Sequence, residues 1–137
     1  MTLETIEQLT DDQVKDLHRL YQAEWWTKGR KLADVERMLQ HCDVIVAYCD
    51  SESKQLVAFA RVLTDYVYKA LIFDVIVEDT YRNKGLGRGL MEAILNHPSL
   101  KSVQHFELYG LPEMIPFYQK WSFTTELGEL RFMRRSK

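Results

Sequence analysis

The chain has few of the features that mark a specialised environment. Its 137 residues include only two cysteines, Cys42 and Cys49. They lack CxxC spacing, and neither falls in a metal-ligand pattern. His18, His41 and His97 likewise have no partners at metal spacing. These residues therefore predict free thiols, no disulfide scaffold and no metal site. No apolar run is long enough to cross a bilayer. The opening MTLETIEQL lacks the basic and apolar regions of a secretory leader. A cytoplasmic protein without a membrane partner is expected. An excess of one charge sign is also missing. The 18 Lys and Arg residues nearly balance 20 Asp and Glu, for a net charge of −2. This excludes the broad positive field that draws nucleic acid or anionic lipid, so any basic patch must be local. With three prolines and six glycines there is no linker composition, and no repeat or low-complexity tract occurs. A single domain over residues 1–137 is expected.

What the chain does have is ordinary globular composition, 46% apolar and 28% charged. Residues 3–9 read as a first strand. Thr10 to Gln13, TDDQ, fits a capping box, after which Val14, Leu17, Leu20 and Tyr21 recur at helical spacing. Leu32, Val35, Met38 and Leu39 mark a second helix. VIVAY (44–48) and LVAFARVL (56–63), separated by the turn DSESK, read as a hairpin. ALIFDVIV (70–77) is almost continuously apolar, as a strand covered on both faces should be. Leu86, Leu90, Met91, Ile94 and Leu95 share one helical face, and Pro98 follows. VQHFELY (103–109) alternates like a strand, PEMIPFYQKW suits a helix opening on Pro112, and ELRFMRR (129–135) reads as a last strand. The order βα, α, βββ, α, β, α, β predicts an α/β fold, a sheet with helices on its faces.

The most informative stretch joins the third β-run to its helix: YRNKGLGRGLMEAIL, Tyr81 to Leu95. A strand that runs through glycines into a helix makes an anion site. Glycine allows close backbone approach, the first helical N–H groups lack internal partners, and the helix dipole favours negative charge there. Arg82, Lys84 and Arg88 add positive charge. Two nucleotide readings fail on spacing. There is no GxxxxGK[ST] run, and Gly85, Gly87 and Gly89 place the third glycine one residue too early for GxGxxG.

The pattern that fits is RxxGxG, Arg82-Asn83-Lys84-Gly85-Leu86-Gly87, after a buried strand. It resembles the pyrophosphate-binding motif of the GCN5-related N-acetyltransferase (GNAT) superfamily. DVIVEDTYRNKGLGRGLM is similar to that family's fourth strand, loop and third helix, and PFYQKWSF resembles its FYxKxGF segment. Two departures stand out. Asp79 stands where proline is common, and Ser122 replaces the glycine of the FYxKxGF turn, where positive φ is costly for other residues. The resemblance implies a mixed, mostly antiparallel central sheet with helices on both faces. It also implies transfer of acetyl from acetyl-CoA to a primary amine by direct attack, with no metal.

Under that resemblance, backbone N–H groups of Arg82, Asn83, Lys84, Gly85, Leu86, Gly87 and Arg88 hold the pyrophosphate. The backbone of Val75, Ile76 and Val77 pairs with the pantetheine arm. Tyr118 matches the tyrosine that protonates the departing thiolate, and a backbone N–H of the strand stabilises the oxyanion. Asp74 interrupts an apolar strand where some small-amine members carry an acid, which makes it a candidate base. The competing reading is a structural hydrogen bond. His105 and Glu107 share a strand face and could relay a proton through water. Glu24, Trp25 and Trp26 fall where the family walls its acceptor site, offering charge and ring faces to a cationic amine. Tyr66 and Tyr68 are further aromatic candidates there. The acceptor is a small-molecule amine or a protein amine, and homodimerisation, common in the family, is compatible. The rival reading is a non-catalytic acyl-CoA-binding sensor or regulatory module.

Overall fold

Why each segment folds as it does is visible in the computed structural model, which describes residues 2–137. The elements are β1 (Leu3–Ile6), α1 (Asp11–Gln22), α2 (Leu32–Gln40), β2 (Val44–Asp50), β3 (Leu56–Thr64), β4 (Lys69–Val77), α3 (Leu86–Leu95), β5 (His105–Glu107) and α4 (Ile115–Gln119). Thr10 starts α1 with a reciprocal capping box: Gln13 N donates to its hydroxyl at 3.2 Å, and Thr10 N donates to Gln13 Oε1 at 3.0 Å. Asp50 makes the β2–β3 turn by accepting from the N–H groups of Glu52 and Ser53.

The five strands lie in chain order. The first three junctions are antiparallel and the β4–β5 junction is parallel, so the sheet is mixed and mostly antiparallel. Helices cover both faces. Leu17, Leu20 and Tyr21 of α1 and Val35 of α2 pack on Ala47, Leu56, Phe59 and Ile76. On the other face Leu90, Met91 and Ile94 of α3 pack on Val46, Ala58, Ala60, Val62 and Ile72. Each fully buried aliphatic side chain contributes about 1.5–3 kcal/mol of burial. The central strands, covered twice, therefore anchor both cores. No helix of the described residues is long and apolar enough to cross a membrane.

The expected last strand does not form. Residues 129–135 have no sheet partner among the described residues, and Leu130, Phe132 and Met133 are exposed. Alternation makes a strand only where an edge accepts it. Here Gly128, at φ 67°, sets the tail off from the sheet. Phe132 instead rests on Tyr109, with ring centroids 4.8 Å apart. The strand expected over 103–109 is also shorter than its pattern, since only His105–Glu107 pairs with β4.

Candidate functional site

Two features of β4 build the site. The first is a bulge. The β3–β4 register passes from Phe59 opposite Ile76 to Arg61 opposite Phe73, and Asp74 lies in the bulge at φ 57°. A left-handed conformation costs a residue with a Cβ about 1–2 kcal/mol. The side chain of Asp74 offsets it. Its Oδ2 accepts from Arg61 Nε at 2.7 Å, Arg30 Nη1 at 2.8 Å and the Tyr21 hydroxyl at 2.9 Å. The carboxylate is almost wholly buried. Burial alone would raise its pKa, but the two guanidiniums outweigh burial and hold it below the usual carboxylate range. Burial, and then the adjacent Asp74 charge, push the Tyr21 hydroxyl well above its ordinary value. A group held this firmly ionised is a poor proton acceptor near neutral pH, since a general base works best with a pKa near the working pH. Of the two readings of Asp74, the geometry corresponds to the structural one.

The second feature is a splayed edge. β5 pairs with β4 only through Lys69, Ala70 and Leu71. β4 then continues to Val77 with β3 on one side and, among the described residues, no strand on the other. The backbone of Val75, Ile76 and Val77 thus borders an open edge, ready to pair with an extended ligand.

That edge leads into the glycine loop. After a single 3-10 turn at Asp79–Tyr81, Asn83 (φ 63°) and Gly85 (φ 80°) both turn left-handed, and α3 begins at Leu86. Asn and Gly are the residues that tolerate this geometry best. Among the described residues no side chain caps α3. Among the described residues the N–H groups of Asn83, Lys84, Gly85, Leu86, Gly87 and Arg88 have no protein acceptor. Six successive free donors around a helix start form an anion cradle. Gly89, the glycine that falls one residue too early for GxGxxG, has a different job. A Cβ there would sit 2.3 Å from the Tyr48 hydroxyl. It allows α3 to lie close on β2.

Two of the loop's basic side chains, Arg82 and Arg88, already have partners. Arg82 reaches Glu24 Oε1 at 2.7 Å, Asp79 Oδ1 at 3.0 Å and the Val77 carbonyl at 3.2 Å. Arg88 pairs along α3 with Glu92 at 3.1 Å. Glu24 thus contacts the loop rather than standing free at an acceptor wall. Trp25 and Trp26 follow it and both project outward, Trp25 being 73% exposed. Between the end of α1 and the loop lies a cavity of about 210 Å³, walled by Ala23, Glu24, Ile76, Val77 and Arg82.

Tyr118, on α4, is half-buried beside Phe117 and Phe123. Burial raises its pKa, and its hydroxyl donates to no protein group among the described residues. Gly110 faces this ring: a Cβ there would lie 3.5 Å from it. Glu107 is paired with Lys69 at 2.8 Å, and His105 is exposed. Tyr66 and Tyr68 occupy the β3–β4 turn, at the end of β4 away from the glycine loop. The Arg30 and Arg61 clamp was not anticipated from the sequence. A buried acid in an apolar strand signals that such partners exist, but not which of 18 basic residues supply them.

Residues 40–125 match the family model described as an acetyltransferase (GNAT) domain. The chain is 31% identical over 104 residues to GCN5-related N-acetyltransferase 1, chloroplastic, of Arabidopsis thaliana, covering 76% of this chain and 53% of that one. It is 33% identical over 101 residues to serotonin N-acetyltransferase 2, chloroplastic, of Oryza sativa subsp. japonica, covering 72% and 50%. The chain therefore spans about half the length of these two relatives. A solved structure of a protein belonging to the GNAT family from Xanthomonas campestris pv. campestris superposes with a TM-score of 0.81 at 28% identity, covering 100% of this chain and 94% of that one.

Proposed function

The chain belongs to the GNAT acetyltransferase family, and from that premise we propose that it transfers the acetyl group of acetyl-CoA to the amine of a small molecule. The observation that carries this is the continuity of two ligand surfaces. The open edge of β4 at Val75–Val77 runs directly into six unpartnered N–H groups at residues 83–88. The first suits the amide-bearing pantetheine arm, the second its pyrophosphate.

Acetyl-CoA supplies an activated thioester. The residues of this chain bind it, orient it and move one proton. Backbone of Val75, Ile76 and Val77 aligns the arm, and the loop from Arg82 to Arg88 neutralises the phosphates. The neutral amine attacks the thioester carbonyl, a C–N bond forms and the C–S bond breaks. Tyr118 donates its phenolic proton to the departing sulfur. Burial keeps that phenol protonated through the neutral range, as a general acid requires. Asp74 is a positioning residue that holds the bulge of β4. The amine loses its proton to water, with no dedicated base assigned. The acceptor lies on the Glu24–Trp26 side, a protein amine being the alternative. Two reduced cysteines suit a reducing compartment such as the cytoplasm.

Calorimetric titration with acetyl-CoA, followed by CoA release across a panel of amines, tests the reading. Expected are saturable binding, loss of at least about ten-fold in affinity in Gly85→Asp, and amine-dependent release. Tyr118→Phe should bind acetyl-CoA as the wild type does and turn over on the order of 100-fold more slowly. Equal turnover would remove Tyr118 from the chemistry. Binding without release by any amine would favour a sensor of acyl-CoA, and no binding would overturn the proposal.

A further inference from the structure

Arg82 and Glu24 face each other at 2.7 Å across the mouth of the 210 Å³ cavity, although they are 58 residues apart in sequence. Each guanidinium nitrogen has a protein acceptor, although the side chain is half exposed. Its other nitrogens reach Asp79 and the carbonyl of Val77. Two of the surfaces assigned above to ligands are therefore engaged by one side chain: the backbone of Val77 and the carboxylate of Glu24. A pyrophosphate in the adjacent loop is a stronger partner for a guanidinium than a single carboxylate, because it carries more charge and accepts bidentate bonds.

The cavity then becomes more negative. Its charged lining comprises Arg19 and Arg82 against Glu24, Glu78 and Asp79, one net negative charge. Arg19 is already paired with Asp16 at 2.9 Å. Once Arg82 swings away, the lining holds two net negative charges. Glu24 is then a partly buried carboxylate without its cation. Such a carboxylate is a receptor for an ammonium group.

We propose that Glu24 serves two cations in turn: it is the counter-ion of Arg82 while the loop holds no phosphate, and of the acceptor's ammonium after CoA has drawn Arg82 away. The inference rests on the acetyl-CoA reading of the loop. It makes Glu24 a specificity-determining residue, selecting small cationic amines. It also couples the two sites, since Glu24 and Arg82 hold each other back until CoA arrives. The ammonium is the form captured. It loses its proton to water before attack.

The exchange is tested by calorimetry with CoA and with 2-phenylethylamine, chosen as a cation carrying one ring. In the wild type CoA should tighten amine binding about two- to five-fold, the factor by which the ion pair weakens each site. In Arg82→Gln, where Glu24 has lost its first partner, the amine should bind equally with and without CoA. In Glu24→Gln it should bind in neither state. CoA itself should bind about two- to five-fold more tightly to Glu24→Gln than to wild type, the value of an exposed ion pair that no longer has to break. That gain should vanish when Arg82→Gln is added. Both substitutions change exposed or half-exposed loop charges, and thermal melting verifies folding. Amine binding independent of CoA in the wild type, absent throughout, or unaffected by Glu24→Gln overturns the exchange. So does CoA affinity unchanged in Glu24→Gln. Failure of CoA to bind the wild type at all overturns instead the acetyl-CoA reading on which the exchange stands.

Discussion

Ser122 carries the chain out of α4 with φ at 68°, its N–H bonded to the carbonyl of Gln119 at 3.0 Å. The turn made elsewhere by glycine is thus kept by a residue that pays steric strain for it. Tyr118 stands one helical turn earlier, so the strain is borne beside the proposed acid. Ser122→Gly should raise unfolding stability by roughly 1 kcal/mol, less than the full αL penalty because glycine also loosens the unfolded chain. Chemical denaturation measures it, and a loss of stability would show that the serine side chain contributes more than its backbone costs. The tyrosine's position could be read from PFYQKWSF. The burial that raises its pKa could not, because the bare face of Gly110 and the packing around the ring come together only in the fold.

At the scale of elements, α3 shows how one glycine pattern does two jobs. Gly85 turns the loop, whereas Gly89 admits Tyr48 from β2. Gly89→Ala would gain up to about 1 kcal/mol of helix propensity, yet it drives a methyl to 2.3 Å from the Tyr48 hydroxyl. Overpacking of this kind costs about 1–3 kcal/mol, so a net loss is expected. Tyr48→Phe removes the clashing oxygen, leaving the ring carbon at 3.2 Å, and should recover part of it. Thermal melts of the two single variants and the double variant decide this. Equal destabilisation in the double variant would place the clash elsewhere. The periodicity of Leu86, Leu90, Met91 and Ile94 revealed the helix. It did not reveal that the third glycine belongs to packing, because Tyr48 lies 41 residues earlier. The tail at 129–135 fails for the converse reason. Its alternation is a local property, and a strand also needs a free edge in register.

For the whole molecule, Asp74 is the point where both halves of the sheet's α1–α2 face meet. Arg30 from the α1–α2 connection, Arg61 from β3 and Tyr21 from α1 all converge on it. Asp74→Asn leaves two guanidiniums facing a neutral group and should cost about 3 kcal/mol, the low end for a broken buried pair because Arg30 is partly exposed. Since the folded pKa of Asp74 is depressed, ionised Asp74 favours the folded state. Its contribution is complete above the unfolded value near pH 4 and is lost as pH falls through the lower folded value. Denaturation at a series of pH values below about 4 should therefore weaken the wild type more steeply than Asp74→Asn. Parallel pH profiles would mean that this carboxylate is not ionised in the fold. By itself the sequence determined most of the elements, though not the fate of the tail at 129–135 or the length of β5, together with the two-faced α/β sheet and the glycine-loop motif. Period, caps and glycine spacing are short-range properties written in consecutive residues. Only the tertiary structure decided that Asp74 is clamped by arginines, that Glu24 faces Arg82, and that β4 parts from β5 after Leu71. Those depend on pairings between distant segments, which form where packing of both cores brings the backbone together.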